Sequence, residues 1–180
     1  MKIGLTGTVS CGKTTLVNDL SKLEQFKDYK TATERSKYLR DQGIALNTDS
    51  TLKGQLVFAA ERSLELMNDN IITDRTCYDI CAFTLSSKTM SERQKELYTN
   101  LIMELRNEYD LIIYVSPNGV DIEDNGVRTT DSTYRTQLDT VINLILEEYP
   151  PKNLLKIEGT NEERISKILE YLSSHNLTNE

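Results

Sequence analysis

Residues Gly7 to Thr14 read Gly-Thr-Val-Ser-Cys-Gly-Lys-Thr, the G-x-x-x-x-G-K-T pattern of a phosphate-binding loop. No other segment constrains the chain as strongly. The apolar run Ile3-Gly4-Leu5 precedes the pattern and the amphipathic run Thr15-Leu16-Val17-Asn18-Asp19-Leu20 follows it, which is the strand–loop–helix setting the motif requires. A tight loop of this kind turns successive backbone N–H groups inward, so Gly7, Thr8, Val9, Ser10, Cys11, Gly12, Lys13, Thr14 and Thr15 are expected to cradle phosphate oxygens. The following helix adds the positive end of its dipole. Lys13 can set its ammonium between the β- and γ-phosphates, and Thr14 can offer a hydroxyl to Mg²⁺. The ligand this predicts is a nucleoside triphosphate, ATP in the first instance.

Apolar segments alternate with helical patterns through the rest of the chain, which predicts an α/β fold on a parallel sheet. Strands are expected at about 2–6, 29–33, 70–74, 109–115 and 154–157. Helices are expected at about 13–24, 34–41, 51–68, 77–86, 91–108, 132–148 and 161–173. In the helix over 51–68, Leu52, Leu56, Ala59, Ala60, Leu64 and Met67 share a face and read as core. Ser91 and Gln94 are spaced as a capping box. The polar stretch 118–131 reads as a loop, and 118–136 as a lid. The tail 174–180 reads as frayed. No repeat, linker or low-complexity tract interrupts residues 1–180, so one domain is expected.

Hydrophobic residues make up 38% of the 180, enough for a core of its own. No run of about 18 apolar residues occurs, so no transmembrane helix is expected. A core strand starts almost at the first residue, which leaves no room for a signal peptide. The three cysteines do not make a disulfide framework, and a reducing, cytoplasmic setting is expected. The net charge of −7 disfavours an extended nucleic-acid footprint but allows a local basic cleft.

A phosphate loop gives only nucleotide binding; chemistry needs further groups. Ile71-Ile72-Thr73-Asp74-Arg75-Thr76 reads as a buried strand ending in an acid, at the sheet edge where open α/β folds bind ligands. Asp74 can hold Mg²⁺ or accept a proton from an attacking hydroxyl, and Arg75 can grip a phosphate bidentately. Arg128 lies in the polar loop and Arg135 follows seven positions on, so both are candidates to stabilise transferred charge. Cys77 and Cys81 share a helix face and read as core, and Cys11 as a bystander in the loop.

Asp74-Arg75-Thr76, with Asp79, Ala82 and Phe83 after it, resembles the Asp-Arg-x-x-x-Asp-x-x-Ala-Tyr pattern of the P-loop nucleoside and nucleotide kinases. Glu123-Asp124-Asn125-Gly126-Val127-Arg128 resembles a segment of one branch, the ribosylnicotinamide-kinase-like group that includes many small phage and bacterial kinases. The resemblance implies a three-layer fold with five parallel strands in the order 2-3-1-4-5 and a lid over ATP. It also implies that Glu34 faces the phosphate acceptor, to contact a ribose hydroxyl or act as base. Gln55 would border the same pocket and read a base edge, and Arg62 would meet an acceptor phosphate. The chain has Lys37 where that branch usually has Arg, and Ile122 where it commonly has Trp.

The reaction expected is transfer of the γ-phosphoryl group of ATP to a small nucleoside or nucleoside monophosphate, by a monomer or homodimer with no membrane role. Two alternatives stay open: a kinase acting on a polynucleotide end or a modified base in DNA, and a nucleotide-dependent switch with slow hydrolysis.

Overall fold

The computed structural model describes residues 1–33, 35–120 and 132–177. Five strands, β1 (Lys2–Thr6), β2 (Lys30–Ala32), β3 (Ile71–Asp74), β4 (Leu111–Val115) and β5 (Leu154–Ile157), form one sheet in the order β2-β3-β1-β4-β5. Every pairing is parallel, with Leu5 opposite Asp74 and Thr6 opposite Tyr114. The expected strand order is the one found. It places the end of β1, and so the phosphate loop, between the ends of β3 and β4.

Two cores flank this sheet, because successive side chains of a strand point to opposite faces. Leu111, Ile113 and Val115 join Ile3, Leu5 and Ile157 beneath α1 (Lys13–Leu20) and α7 (Asn161–Ser174). Ile112 and Tyr114 enter the other core, with α4 (Cys77–Leu85), α5 (Glu92–Ile102) and α6 (Ser132–Glu148). Cys77 and Cys81 are buried there as free thiols, as expected of core residues. Val9 belongs to this second core and Cys11 to the first, so the phosphate loop is rooted on both sides of the sheet.

Most elements match their sequence patterns. Ser91 and Gln94 form the capping box expected at the start of α5. The helix foreseen over 13–24 stops at Leu20, and a separate 3₁₀ turn covers Glu24–Phe26. That foreseen over 91–108 gives way to a 3₁₀ segment at Met103–Glu108. Beyond α7, Leu177 donates its N–H to the Leu172 carbonyl at 3.0 Å and packs on the first core. Among the described residues no helix is long and apolar enough to cross a membrane.

The helix α3 (Leu52–Glu65) departs from expectation in its orientation. Its buried residues are Gly54, Gln55 and Arg62, while Leu56, Ala60, Leu64 and, just past the helix, Met67 face outward. Periodicity establishes that one side of a helix is apolar, not which way that side faces. Here the orientation follows from tertiary contacts. Gly54 fits against Ile44, and the Tyr98 hydroxyl of α5 donates to the Gln55 carbonyl at 2.6 Å.

Candidate active site

The loop leaves β1 at Gly7 and enters α1 at Gly12, whose φ of +87° is the left-handed conformation that glycine adopts without penalty. Lys13 is 5% exposed and folds back over the loop. Its Nζ donates to the Gly7 and Thr8 carbonyls at 2.7 Å each and lies 3.3 Å from Cys11 Sγ. Thr14 donates from Oγ1 to Asp74 Oδ2, joining the loop to the end of β3. These two oxygens are hard donors side by side, the chemistry that suits Mg²⁺.

At the end of β3 the chain reverses abruptly. Arg75 has φ +88°, a strained value for a residue with a Cβ, and its N–H donates to the Leu5 carbonyl at 3.0 Å. The reversal lays Thr76 across the sheet at Gly4, where an added Cβ would sit 2.5 Å from Thr76 Cγ2 and 2.6 Å from the Tyr109 ring. Thr76 and Asp79 then form a capping box that starts α4, with Asp79 Oδ2 accepting from the Thr76 N–H at 2.8 Å. The Arg75 guanidinium rests over the Phe83 ring at 4.8 Å. Asp74-Arg75-Thr76 is therefore one device: the acid stays at the sheet edge, the arginine turns the chain, and the threonine caps the next helix.

Two further arginines grip the loop. Arg164 of α7, only 3% exposed, donates from Nη1 to the Cys11 carbonyl at 2.8 Å and from Nη2 to the Ser116 carbonyl at 3.1 Å. Arg135 of α6 donates from Nη2 to the Ser10 and Pro117 carbonyls, both at 3.2 Å, and its own carbonyl accepts from Thr8 Oγ1 at 2.8 Å. Both tie the loop to the segment after β4. Arg135 was expected to face transferred charge; its guanidinium meets loop carbonyls instead. Arg164 was not anticipated as a site residue, since nothing local in the sequence marks it.

A cleft of about 420 Å³ is lined by Ser10, Cys11, Gly12, Lys13, Thr14, Thr15, Asp74 and Arg75, with Gly119, Val120, Gly159, Thr160, Asn161 and Arg164 closing it. A larger groove, about 1040 Å³, lies between residues 46–49, the end of α4 and the first half of α6. Tyr134 lines that groove. Burial pushes its phenol up to about 12, and the Arg75 charge pulls the other way.

The acceptor-side residues are less gathered. Gln55 and Arg62 lie on the buried side of α3, and Arg62 pairs with Glu65 of the same helix. Burial raises the Glu65 carboxyl, with Arg62 opposing and Asp74 among the charges that act on it. Glu34, Arg128 and the lid residues 121–131 lie outside the described residues; Arg35, beside Glu34, pairs with Glu61 at 2.9 Å.

A family model described as AAA domain matches residues 2–164, from the first strand to Arg164. The chain belongs to the AAA domain family. This AAA domain also shares its fold with solved structures. Deoxyadenosine kinase from M. mycoides with bound dCTP is 20% identical over 97% of this chain and 100% of its own, with a TM-score of 0.67. The same enzyme with bound dATP is 19% identical over 96% and 100%, with a TM-score of 0.63. The YorR protein of Bacillus subtilis, in complex with phosphorylated GDP, is 14% identical over 100% of both chains, with a TM-score of 0.54. At these identities the likeness is one of fold. No curated protein matches the sequence.

Proposed function

We propose that this AAA domain is an ATP- and Mg²⁺-dependent kinase that phosphorylates a nucleoside or nucleoside monophosphate. One observation carries the reading: Lys13, Thr14, Asp74 and Arg75 converge on a single cleft. A bare nucleotide switch needs the first two; the Asp-Arg pair beside them is what a second substrate would use. The ligands of the fold neighbours, dCTP and dATP on a deoxyadenosine kinase, point the same way.

In this reading the loop amides and Lys13 hold the ATP phosphates, and phosphate oxygens take over the Lys13 donors now given to Gly7 and Thr8. Thr14 and Asp74 would hold Mg²⁺, which when bound neutralises charge on the β- and γ-phosphates. The acceptor sits in the groove beside Tyr134, and its hydroxyl oxygen attacks the γ-phosphorus while the bond to the ADP oxygen breaks. Its proton passes to a carboxylate, Asp74 or Glu34. Arg75, and Arg128 of the lid, balance charge on the transferring group. Gln55 and Arg62 shape the acceptor side from the buried face of α3. Residues 1–180 act as one domain, in the cytoplasm.

The test is ADP release with Mg·ATP against nucleosides, nucleoside monophosphates, ribosylnicotinamide and DNA ends. Stimulation by one small acceptor, lost on the order of 10³-fold in Lys13→Ala, is the expected result. Stimulation by DNA ends alone moves the reading to a nucleic-acid kinase. Slow ATP loss that no acceptor accelerates leaves a nucleotide switch.

A further inference from the structure

The strand order gives the cleft a direction. Asp74 and Arg75 stand at the end of β3 and the phosphate loop at the end of β1, while the rest of the lining follows β4 and β5. A nucleotide with its phosphates on the loop and its terminal phosphate toward Asp74 therefore extends its base over β4 and β5. That end is walled by uncharged residues and by Arg164, whose guanidinium is already given to the Cys11 and Ser116 carbonyls. Such a wall suits a neutral aromatic ring and leaves few groups to read its edge.

The polar side chains there are mostly engaged. Thr160 and Glu163 form the capping box of α7, and Asn118 donates to Glu158 at 3.3 Å between the two loops. Asn161 differs. Its Nδ2 donates to Asp19 Oδ2 at 2.7 Å. An ionised carboxylate only accepts, so this bond decides which arm of the amide is nitrogen and which is oxygen. Lys22 donates to the other oxygen, Asp19 Oδ1, at 2.6 Å and holds that carboxyl below its ordinary value, which keeps Asp19 an acceptor. Asp19 lies outside the cleft lining, one turn beyond Thr15 on α1. The amide nitrogen is thus drawn out of the cleft. The arm left for the cleft is Oδ1, which accepts no hydrogen bond among the described residues.

We infer that Asn161, oriented by Asp19, selects the base of the donor nucleotide. Its oxygen accepts from the exocyclic amine of adenine and opposes the keto oxygen that guanine or hypoxanthine carries in the same place, so the chain takes ATP over GTP. This rests on the reading above that the cleft holds a nucleoside triphosphate. Asp19 touches no base; it is a positioning residue. A site that pairs with one substrate group rejects an analogue that leaves the pair unmade, so a single fixed amide is enough for a marked preference.

Displacement of a ribose-labelled fluorescent ADP, with no acceptor present, reads the selectivity directly. ATP is expected to bind at least about tenfold tighter than GTP and ITP, the latter having the keto oxygen and no exocyclic amine at all. In Asn161→Leu the ratio of ATP to GTP affinity should fall to within about threefold, mainly by loss of ATP affinity, and retained GTP binding shows that the site still folds. Asp19→Asn frees the Asn161 amide to present either arm, so GTP should gain affinity and the ratio should again shrink. A wild-type chain that binds ATP, GTP and ITP alike overturns the inference. So does a ratio that stays put in either variant. A chain that prefers ATP but phosphorylates no acceptor keeps this inference and sinks the kinase reading; a chain that phosphorylates an acceptor equally well from ATP and GTP does the reverse.

Discussion

Arg164 donates from Nη1 to the carbonyl oxygen of Cys11 at 2.8 Å, binding the last helix to a loop 153 residues earlier. Its Nη2 reaches the Ser116 carbonyl, so one buried guanidinium fixes the distance between the phosphate loop and the end of β4. Replacing Arg164 by Ala leaves both carbonyls without their donor. Charge-assisted bonds of this kind contribute about 1.5–3 kcal/mol each, so the variant should lose about 3 kcal/mol of stability. Its ATP dissociation constant should rise at least tenfold. Arg164→Lys, with a single donor head, should recover part of the stability. Urea denaturation and an ATP titration measure the two effects; normal ATP affinity in a destabilised Ala variant would make Arg164 a strut for the fold alone.

The backbone at Arg75 separates strain from chemistry. Its φ of +88° costs a residue with a Cβ about 1–3 kcal/mol, and glycine escapes that cost. Arg75→Gly and Arg75→Ala both remove the guanidinium from Phe83 and from the cleft. Both should depress phosphoryl transfer to the same low level, while the Gly variant should be the more stable by about 1 kcal/mol. Thermal melts with matched rate measurements would show the split; equal stability of the two variants would mean that the turn relaxes once the side chain is gone.

Thr14 and Asp74 share one hydrogen bond, and their roles divide by substitution. Thr14→Val keeps the shape and removes the hydroxyl, so divalent-dependent ATP binding should weaken and turnover should fall on the order of 10²-fold. Thr14→Ser should stay within a few-fold of wild type. Asp74→Asn should bind ATP without metal as well as wild type does, and lose the gain that Mg²⁺ gives. Titrations of ATP with and without Mg²⁺ decide it, and a Thr14→Val chain with full Mg²⁺ response would remove Thr14 from the proposed metal site.

Asp139 of α6 accepts from the Tyr114 hydroxyl at both carboxylate oxygens, at 2.8 and 2.9 Å. Burial pushes its carboxyl above the ordinary value of 3.8, against the pull of Tyr114 and of Arg135, Lys13 and Lys156. The folded chain therefore holds this proton more tightly than the unfolded chain does. The contribution is fully present below the unfolded value and is lost as pH rises through the folded one. Asp139→Asn should flatten the decline in stability from about pH 4 upward, with Glu65, also raised by burial, leaving a residual slope. Denaturation midpoints across that range test it, and an unchanged slope would assign the pH dependence elsewhere.

Local signals carried far in this sequence. The loop at 7–14, the strand that ends in Asp74 and the capping box at Ser91 each lie within a few consecutive residues, and each holds in three dimensions. What escaped is what depends on distant partners. Arg164 sits at an ordinary helical position, and only the arrival of Cys11 and Ser116 beside it makes it part of the site. Arg135 reads from the sequence as a group that stabilises transferred charge, but the partners it has in the fold are main-chain carbonyls that no motif encodes. The outward turn of α3 is the plainest case, because its periodicity is real and its sense was set by Gly54, Gln55 and Tyr98.

The central place of β1 has a consequence for synthesis. This strand is made before both of its neighbours, β3 and β4, and the loop behind it waits longer still, for Arg135 and then Arg164. A ribosome stalled ahead of residue 135 would present the whole motif from Gly7 to Thr14 with neither guanidinium to brace it. A truncated product would carry the signature of a nucleotide site without the two arginines that brace it.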